Sequence, residues 1–479
     1  MQRRTKIVTT LGPATDDTNV LAAMIRAGAD VVRLNFSHGR PEEHARRMEL
    51  ARQAAASVDK YVGVLGDLRG PKIRIERFAA GPVMLNEGQA FTLDVSLDAD
   101  AGTAQSVGVA YKELPRDVRA NDVLLLDDGQ LVLEVEKVDG PRIHTRVRLG
   151  GTLSDQKGIN RQGGGLSAGA LTDKDREDIR VAAALGIDFL AVSFARDASD
   201  IHEARQILRD AGGLGSVVAK IERSEAIQNL APIIDASDAV MVARGDLGVE
   251  MGYAELTGLQ KTIIHQTRNR HRVVITATQM MESMIHSPMP TRAEVSDVSN
   301  AVMDGTDAVM LSAETAVGKY PVKAVEAMAQ IIQGAEKYQL SHSRIRHRVE
   351  GQFRGTDEAI AMAVMYTANH LKVRAIVALT ESGSTPLWMS RIRSDIPIYA
   401  FTRHEHTRRR VTLYRGVYPV PFDITDTDTD PQALYSSIFQ QLLARKLVAS
   451  SDLVILTKGE LSGVSGGTNA MLILKVTAG

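Results

Sequence analysis

The sequence predicts an α/β architecture: an eight-fold βα (TIM) barrel, interrupted by a small all-β insertion and followed by a second α/β domain. Three observations carry that expectation. Eight short β-branched runs fall at residues 6–12, 31–37, 62–68, 189–194, 217–222, 240–247, 273–280 and 308–314. Stretches of helical periodicity separate most of them, at 19–27, 41–56, 172–185, 198–211, 256–268, 292–303 and 321–336. Continuous apolar runs alternating with helices are what parallel strands buried on both faces require. Polar residues collect where these runs end: Arg33, Asn35, Asp67, Lys220, Glu222, Asp246, Thr278 and Glu314. A closed barrel carries its active site at that C-terminal face, while an open doubly wound sheet is the alternative.

The alternation breaks once. Between residues 68 and 171 the chain turns strand-rich, at 83–85, 90–94, 107–111, 123–126, 131–138 and 143–149. Turn signals separate these runs at Asn86-Glu87-Gly88, Asp127-Asp128-Gly129 and Asp139-Gly140-Pro141. A small β-barrel domain is expected over 71–168. Removing it leaves 1–70 and 169–340, close to the ~250 residues of an eight-fold barrel. An insertion after the third strand sits over the catalytic mouth, where it can act as a lid. A basic linker is read at 341–355, within a C-terminal domain spanning 341–479. Its strands are expected at 375–379, 398–401, 417–421, 453–457 and 472–476, and its helices at 357–371, 385–393 and 431–446. Two strands there run into Gly/Ser/Thr loops, Thr380-Glu381-Ser382-Gly383-Ser384-Thr385 and residues 461–468. Such loops offer amides and hydroxyls to an anion.

A chain of 479 residues exceeds what one core organises, so several domains are expected. Lys and Arg total 57 against 58 Asp and Glu, a formal net charge of −1, with no long run of one sign. That balance gives no support to a nucleic-acid or membrane-surface role. The basic start is followed by a stretch broken by Thr9, Thr10, Gly12 and Pro13, unlike a secretory signal. No run approaches the roughly 18 apolar residues of a membrane helix. With no cysteine there is no disulfide, thiolate metal site or thiol nucleophile. This suits a reducing compartment, and the cytoplasm is the expected location.

In a strand, positions i and i+2 project to one face, so Lys220 and Glu222 enter the same space. Glu222 and Asp246, read as ends of adjacent strands, would give hard oxygen ligands to magnesium. That ion keeps one or two carboxylates and completes its shell with substrate oxygens and water. The plainer reading is a pair of rim carboxylates salt-bridged to Arg244 and Lys220. Arg33, Arg74, Lys157 and Lys220 favour the first, because a surplus of cations beside a metal suits a phosphorylated substrate. Phosphoryl transfer asks for positioning and charge neutralisation, and no nucleophilic triad. Thr278 could relay a proton through water, though a lone strand-end Thr is more often structural. His38 could touch a nucleotide, and an isolated surface His is the commoner case.

Taken together, these segments resemble the pyruvate kinase family from near residue 4 to the C-terminus. Thr5-Lys6-Ile7-Val8-Thr9-Thr10-Leu11-Gly12-Pro13 looks like its first strand and Arg33-Leu34-Asn35-Phe36-Ser37-His38-Gly39 its second. Lys220-Ile221-Glu222, Ala243-Arg244-Gly245-Asp246-Leu247-Gly248 and Ala277-Thr278-Gln279-Met280-Met281-Glu282-Ser283-Met284 are similar to its signature blocks. The resemblance implies phosphoryl transfer from phosphoenolpyruvate to ADP, giving pyruvate and ATP. It implies magnesium, or manganese in its place, on Glu222 and Asp246. Lys220 and Arg33 would meet the phosphoryl group, Gly245 and Asp246 amides the substrate carboxylate, and Thr278 the face where the enolate is protonated. Asn35, His38, Arg74 and Lys157 would face the nucleotide. A homotetramer is implied too, with an effector-binding C-terminal domain whose phosphate loop would comprise Thr380, Ser382, Gly383, Ser384 and Thr385.

The chain departs from that pattern twice. Lys72 stands where potassium-dependent members carry Glu, and Leu68 where they carry Thr. The potassium pocket would be Asn35, Ser37, Asp67 and the carbonyl of Leu68. The Lys72 ammonium could replace the ion, so K+ is not expected to be required. The loop near 457–468 lacks the Trp and Arg associated with a bisphosphorylated sugar, which points to a monophosphorylated sugar or a nucleotide as effector. The alternatives are another phosphoenolpyruvate or pyruvate barrel enzyme, such as a lyase, and a catalytically silent regulatory protein.

Overall fold

In the computed structural model the described residues are 2–342, 353, 355–423, 431–459 and 467–477. Eight parallel strands close a barrel: β1 (Lys6–Thr10), β2 (Val31–Asn35), β3 (Gly63–Asp67), β4 (Phe189–Val192), β5 (Ser216–Ile221), β6 (Ala239–Ala243), β7 (Val273–Ala277) and β8 (Ala308–Leu311). They pair in the order β1-β8-β7-β6-β5-β4-β3-β2. β1, β3, β6 and β7 are buried at every residue, as strands between a packed lumen and a ring of helices must be. Ile7, Val64, Leu190, Val240 and Val274 pack outward against those helices. Val8, Leu65, Val218, Met241 and Ile275 fill the interior.

Local signals set the helix ends. Thr172 caps the Asp173–Leu185 helix through the amide of Asp175, and Thr291 caps Arg292–Asp304 through that of Glu294. Gly186 and Gly305 end the same two helices with positive φ, a conformation glycine adopts without strain. Several strands stop earlier than the apolar runs suggest. The run at 189–194 leaves the sheet after Val192, and that at 240–247 ends at Ala243, where the Arg244–Met251 helix begins. Asp246 therefore lies in the first turn of a helix, and the reading of Glu222 and Asp246 as ends of adjacent strands is corrected accordingly. Apolar composition does not mark where the backbone turns away.

The inserted domain is a mixed six-stranded sheet in the order 159–161, 123–126, 131–139, 142–149, 90–94, 106–108, with a second sheet pairing Val83–Leu85 and Gly151–Leu153. It has its own core, including Phe91, Leu93, Leu124, Leu133 and Val147. Strands Gly151–Leu153 and Ile159–Arg161 were not anticipated, since three residues are too few to show alternation.

The last barrel helix, Pro321–His342, reaches two residues into the segment read as linker; residues 343–352 and 354 lie outside the described residues. The C-terminal domain carries β9 (Ala375–Leu379), β10 (Ile398–Thr402), β11 (Val417–Pro421), β12 (Leu453–Gly459) and β13 (Thr468–Lys475) in the order β11-β10-β9-β12-β13. The first four run parallel and β13 antiparallel to β12. The helix expected at 385–393 is Ser384–Ser390, and the Glu405–Val411 helix was not foreseen. The domain docks on the barrel floor: Lys6 Nζ donates to the Val417 carbonyl at 2.6 Å and Arg391 Nη1 to Asp307 at 2.9 Å.

Candidate active site

The ends of β2, β3, β4 and β5 carry one connected polar network. Arg33 Nε lies 2.7 Å from Asp67 Oδ2. The other oxygen of Asp67 is 3.3 Å from Lys220 Nζ, which is 2.9 Å from Glu222 Oε1. Lys220 and Glu222, two apart at the end of one strand, thus meet on the same face at contact distance. Lys220 also donates to Ser193 Oγ at 2.6 Å, and Ser193 donates to the Leu68 carbonyl at 2.8 Å. Glu222 Oε2 accepts the amide of Phe194, a residue held at φ +55°. Such strained backbone is tolerated where the surrounding structure enforces it, and it clusters at functional sites.

The electrostatics follow from burial and pairing. Burial works against the Lys220 charge, but Asp67 and Glu222 outweigh it and hold the ammonium above its ordinary value. Asp67 is pulled the other way: burial raises it, and Lys220 and Arg33 bring it below the usual carboxylate range. Burial pushes Glu222 up; Lys220 opposes this and Asp246 adds to it. Two carboxylates crowding each other at a wall of cations is a donor set that a hard divalent cation would relieve. Among the described residues no group of three Asp, Glu, His or Cys gathers as a metal site. The residues present fit an ion that takes two protein carboxylates.

Thr278, at φ +67° beyond β7, accepts the amide of Gly245 at 2.8 Å and donates to the Ala277 carbonyl at 2.7 Å. The Gly245 amide is therefore engaged. The amide of Asp246 belongs to the first helical turn, whose N–H groups have no intrahelical acceptor. Arg244, weighed as the partner of the rim carboxylates, turns away to Asp297 at 2.7 Å and to the Thr278 carbonyl at 2.8 Å.

Lys72 is not where the sequence placed it. Asp67 is met by Arg33 and Lys220, while Lys72 Nζ lies 3.3 Å from Asp246 Oδ1 and 3.6 Å from Asp128 of the lid. Burial opposes its charge, but those two carboxylates win and raise it. Of the other expected pocket members, Asn35 Oδ1 accepts the Ser37 amide. Lys157 pairs with Asp127 at 2.9 Å and Arg74 Nη1 donates to the Gln156 carbonyl, both on the lid. His38 is exposed beyond β2. The loop Thr380–Thr385 belongs to the separate C-terminal domain: Gly383, at φ +85°, donates its amide to Thr380 Oγ1, and Thr385 and Thr468 share a hydrogen bond of 2.7 Å. Residues 460–466 of the second loop lie outside the described residues.

Sequence reasoning missed Ser193, Asp127, Asp128 and Glu250. Ser193 follows an apolar run like any turn residue. The two aspartates read as turn formers, which they also are, at φ +51° and +54°. Burial pushes the Glu250 carboxyl up to about 7, and it accepts the Ser224 amide where the lid returns to the barrel.

This geometry defines a barrel enzyme whose C-terminal face gathers cations, a carboxylate pair and a helix N-terminus around one space, beneath a lid. Comparisons with known proteins give the family. Residues 2–325 match the model of the pyruvate kinase barrel domain, and 358–474 that of its alpha/beta domain. The chain is 54% identical over 478 residues to pyruvate kinase II of Salmonella typhimurium, covering 99% of each chain. It is 52% identical to a pyruvate kinase of Haemophilus influenzae, over 95% of this chain and 96% of that one. A Geobacillus stearothermophilus pyruvate kinase is 41% identical, over 99% of this chain and 80% of its own. The chain belongs to the pyruvate kinase family and is a phosphotransferase. Among the described residues no helix is long and apolar enough to cross a membrane.

Proposed function

We propose that the protein transfers the phosphoryl group of phosphoenolpyruvate to ADP, with magnesium held by Glu222 and Asp246 and manganese able to replace it. The observation that carries this is the Arg33–Asp67–Lys220–Glu222 chain of contacts beside Asp246. Glu222 and Asp246 would hold the ion, which would supply positive charge to neutralise a phosphorylated substrate. Lys220, fixed by Asp67, Glu222 and Ser193, presents a permanent cation to the phosphoryl group in transfer and to the enolate left behind. Arg33 is braced by Asp67 against the same group. The helix N-terminus at Gly245 and Asp246 favours the substrate carboxylate. Thr278, with water, lies on the face where the enolate is protonated to pyruvate. Asn35, His38, Arg74 and Lys157 flank the nucleotide, two of them on the lid, so closure brings ADP to the phosphoryl group.

Lys72, tethered beside the mouth by Asp246 and Asp128 rather than in the pocket of Asn35, Ser37 and Asp67, supplies a fixed positive charge near the approaching phosphates, which leaves the reaction without a monovalent-cation requirement. A monophosphorylated sugar or a nucleotide activates through Thr380, Ser382, Gly383, Ser384 and Thr385. The protein works in the cytoplasm as a homotetramer, to be checked by light scattering for four times the 51.9 kDa chain mass. An assay coupling pyruvate formation to ATP, with magnesium and ADP varied separately, tests the reaction. Pyruvate released without ATP would move the protein to the lyases.

A further inference from the structure

Four arginines converge on a cleft between the barrel and the C-terminal domain that the reaction above does not use. Arg4 precedes β1, Arg268 ends the Tyr253–Asn269 helix, Arg393 follows the Ser384–Ser390 helix and Arg415 precedes β11. The cleft opens partly to solvent and has a volume of about 60 Å³. Like charges this close, away from water, repel strongly. The acceptors the arginines use are chiefly uncharged. Arg268 donates to the carbonyls of Gly305 and Arg391, and Arg415 to that of Thr306 and to Gln339. Glu336, 3.8 Å from both Arg4 Nε and Arg415 Nη2, takes up part of the charge, while the lining Asp304 is engaged by Lys261.

Arg4 is 5% exposed, and its Nε and Nη2 have no hydrogen-bond partner among the described residues. A buried guanidinium with unmade hydrogen bonds is costly, and its planar fork matches a tetrahedral oxyanion. Burial, with the neighbouring guanidiniums and against Asp307, holds Arg268 down to about 9; burial lowers Arg415 to about 10, with Glu336 opposing it and Arg4 adding to it. Arg393 is lowered by burial and by Arg4.

We propose that this interdomain cleft binds a phosphate-class oxyanion, free or carried on a small metabolite, between Arg4, Arg268, Arg393 and Arg415. The site is separate from the loop Thr380–Thr385 and joined to it by one element. The Ser384–Ser390 helix starts at that loop, and its last residue lines the cleft. An anion here ties the C-terminal domain to the barrel.

The chain's single tryptophan reports on it. Trp388 lies on that helix, its ring 4.3 Å from His271 of the barrel. The full-length protein is titrated with inorganic phosphate at constant ionic strength, reading Trp388 fluorescence. The wild type should give a saturable change. Arg393→Met should raise the midpoint at least ~10-fold, about 1.4 kcal/mol, and Arg393→Lys, which keeps the charge without the fork, by less. Ser382→Asp should leave the midpoint where it was. Glycerol phosphate in place of inorganic phosphate separates the sources: an equal or lower midpoint assigns an organic phosphate, a higher one the free ion. No saturable change in the wild type, an Arg393→Met midpoint equal to wild type, or loss of the signal in Ser382→Asp overturns the proposal.

Discussion

Lys220 stands between two carboxylates and a hydroxyl, so its ammonium is oriented before substrate arrives. Preorganised charge in a water-poor site is where catalysis is most sensitive to deletion. Lys220→Met should lower kcat by ~10³-fold or more, with a much smaller change in KM. A variant keeping over a tenth of wild-type turnover would remove Lys220 from that role. Lys72 calls for a different measurement. Its contact is Asp246, so Lys72→Glu sets a carboxylate against a carboxylate at the helix N-terminus. Wild-type activity should be near full with magnesium alone, in buffers free of potassium and ammonium. In Lys72→Glu it should drop and be partly restored by added potassium. Wild-type stimulation by potassium beyond about tenfold, ~1.4 kcal/mol of barrier, contradicts the substitution of lysine for the ion.

At the scale of elements, β1 does two jobs, pairing within the barrel and anchoring the C-terminal domain through Lys6. That ammonium is buried, donates to the Val417 carbonyl and lies 4.3 Å over the Tyr418 ring. Burial, partly opposed by Asp30, takes it from 10.5 down to about 8. The sign follows from proton binding. Between pH 8 and 10.5 the unfolded chain still holds this proton and the folded one has lost it, so stability rises with pH across that window. Below pH 8 both forms are charged and the full penalty stands. Relative to Lys6→Met, the wild type should gain on the order of 3 kcal/mol between pH 7.5 and 10.5. Paired denaturant titrations read this difference, and a flat one would mean Lys6 keeps its proton throughout. The strands themselves were legible from β-branched runs and the long helices from their caps. Elements of three or four residues, such as Gly151–Leu153, were not, because their pairing partners rather than their own pattern define them.

At the scale of the molecule, three bodies are joined: the barrel floor carries the C-terminal domain, and the mouth carries the lid. Tyr253 of the barrel donates to the Asp128 carbonyl at 3.3 Å, and Arg223 to that of Ala168 at 3.1 Å, so the inserted domain touches the barrel both at its 127–129 turn and where its chain returns. Regulation is expected to cross the other joint. Ser382→Asp places a fixed negative charge in the Thr380–Thr385 loop and should abolish activation by the most effective sugar phosphate or nucleotide. Activation that persists unchanged moves the effector to another surface.

The amino-acid order alone determined the alternation of strands and helices, the interruption by a β domain, and the residues that reach the mouth. Those depend on period and on side-chain chemistry, and both are local. Lys220 and Glu222 could be paired on paper because two positions along a strand share a face. The partners of Lys72, Asp67 and Arg244 could not, since each lies dozens of residues or more away in sequence. Which cation meets which carboxylate is settled by how the lid and helix Arg244–Met251 pack against the barrel rim. The same holds for the arginines at the interdomain cleft: separated along the chain they are ordinary surface candidates, and only the docking of two domains buries them together.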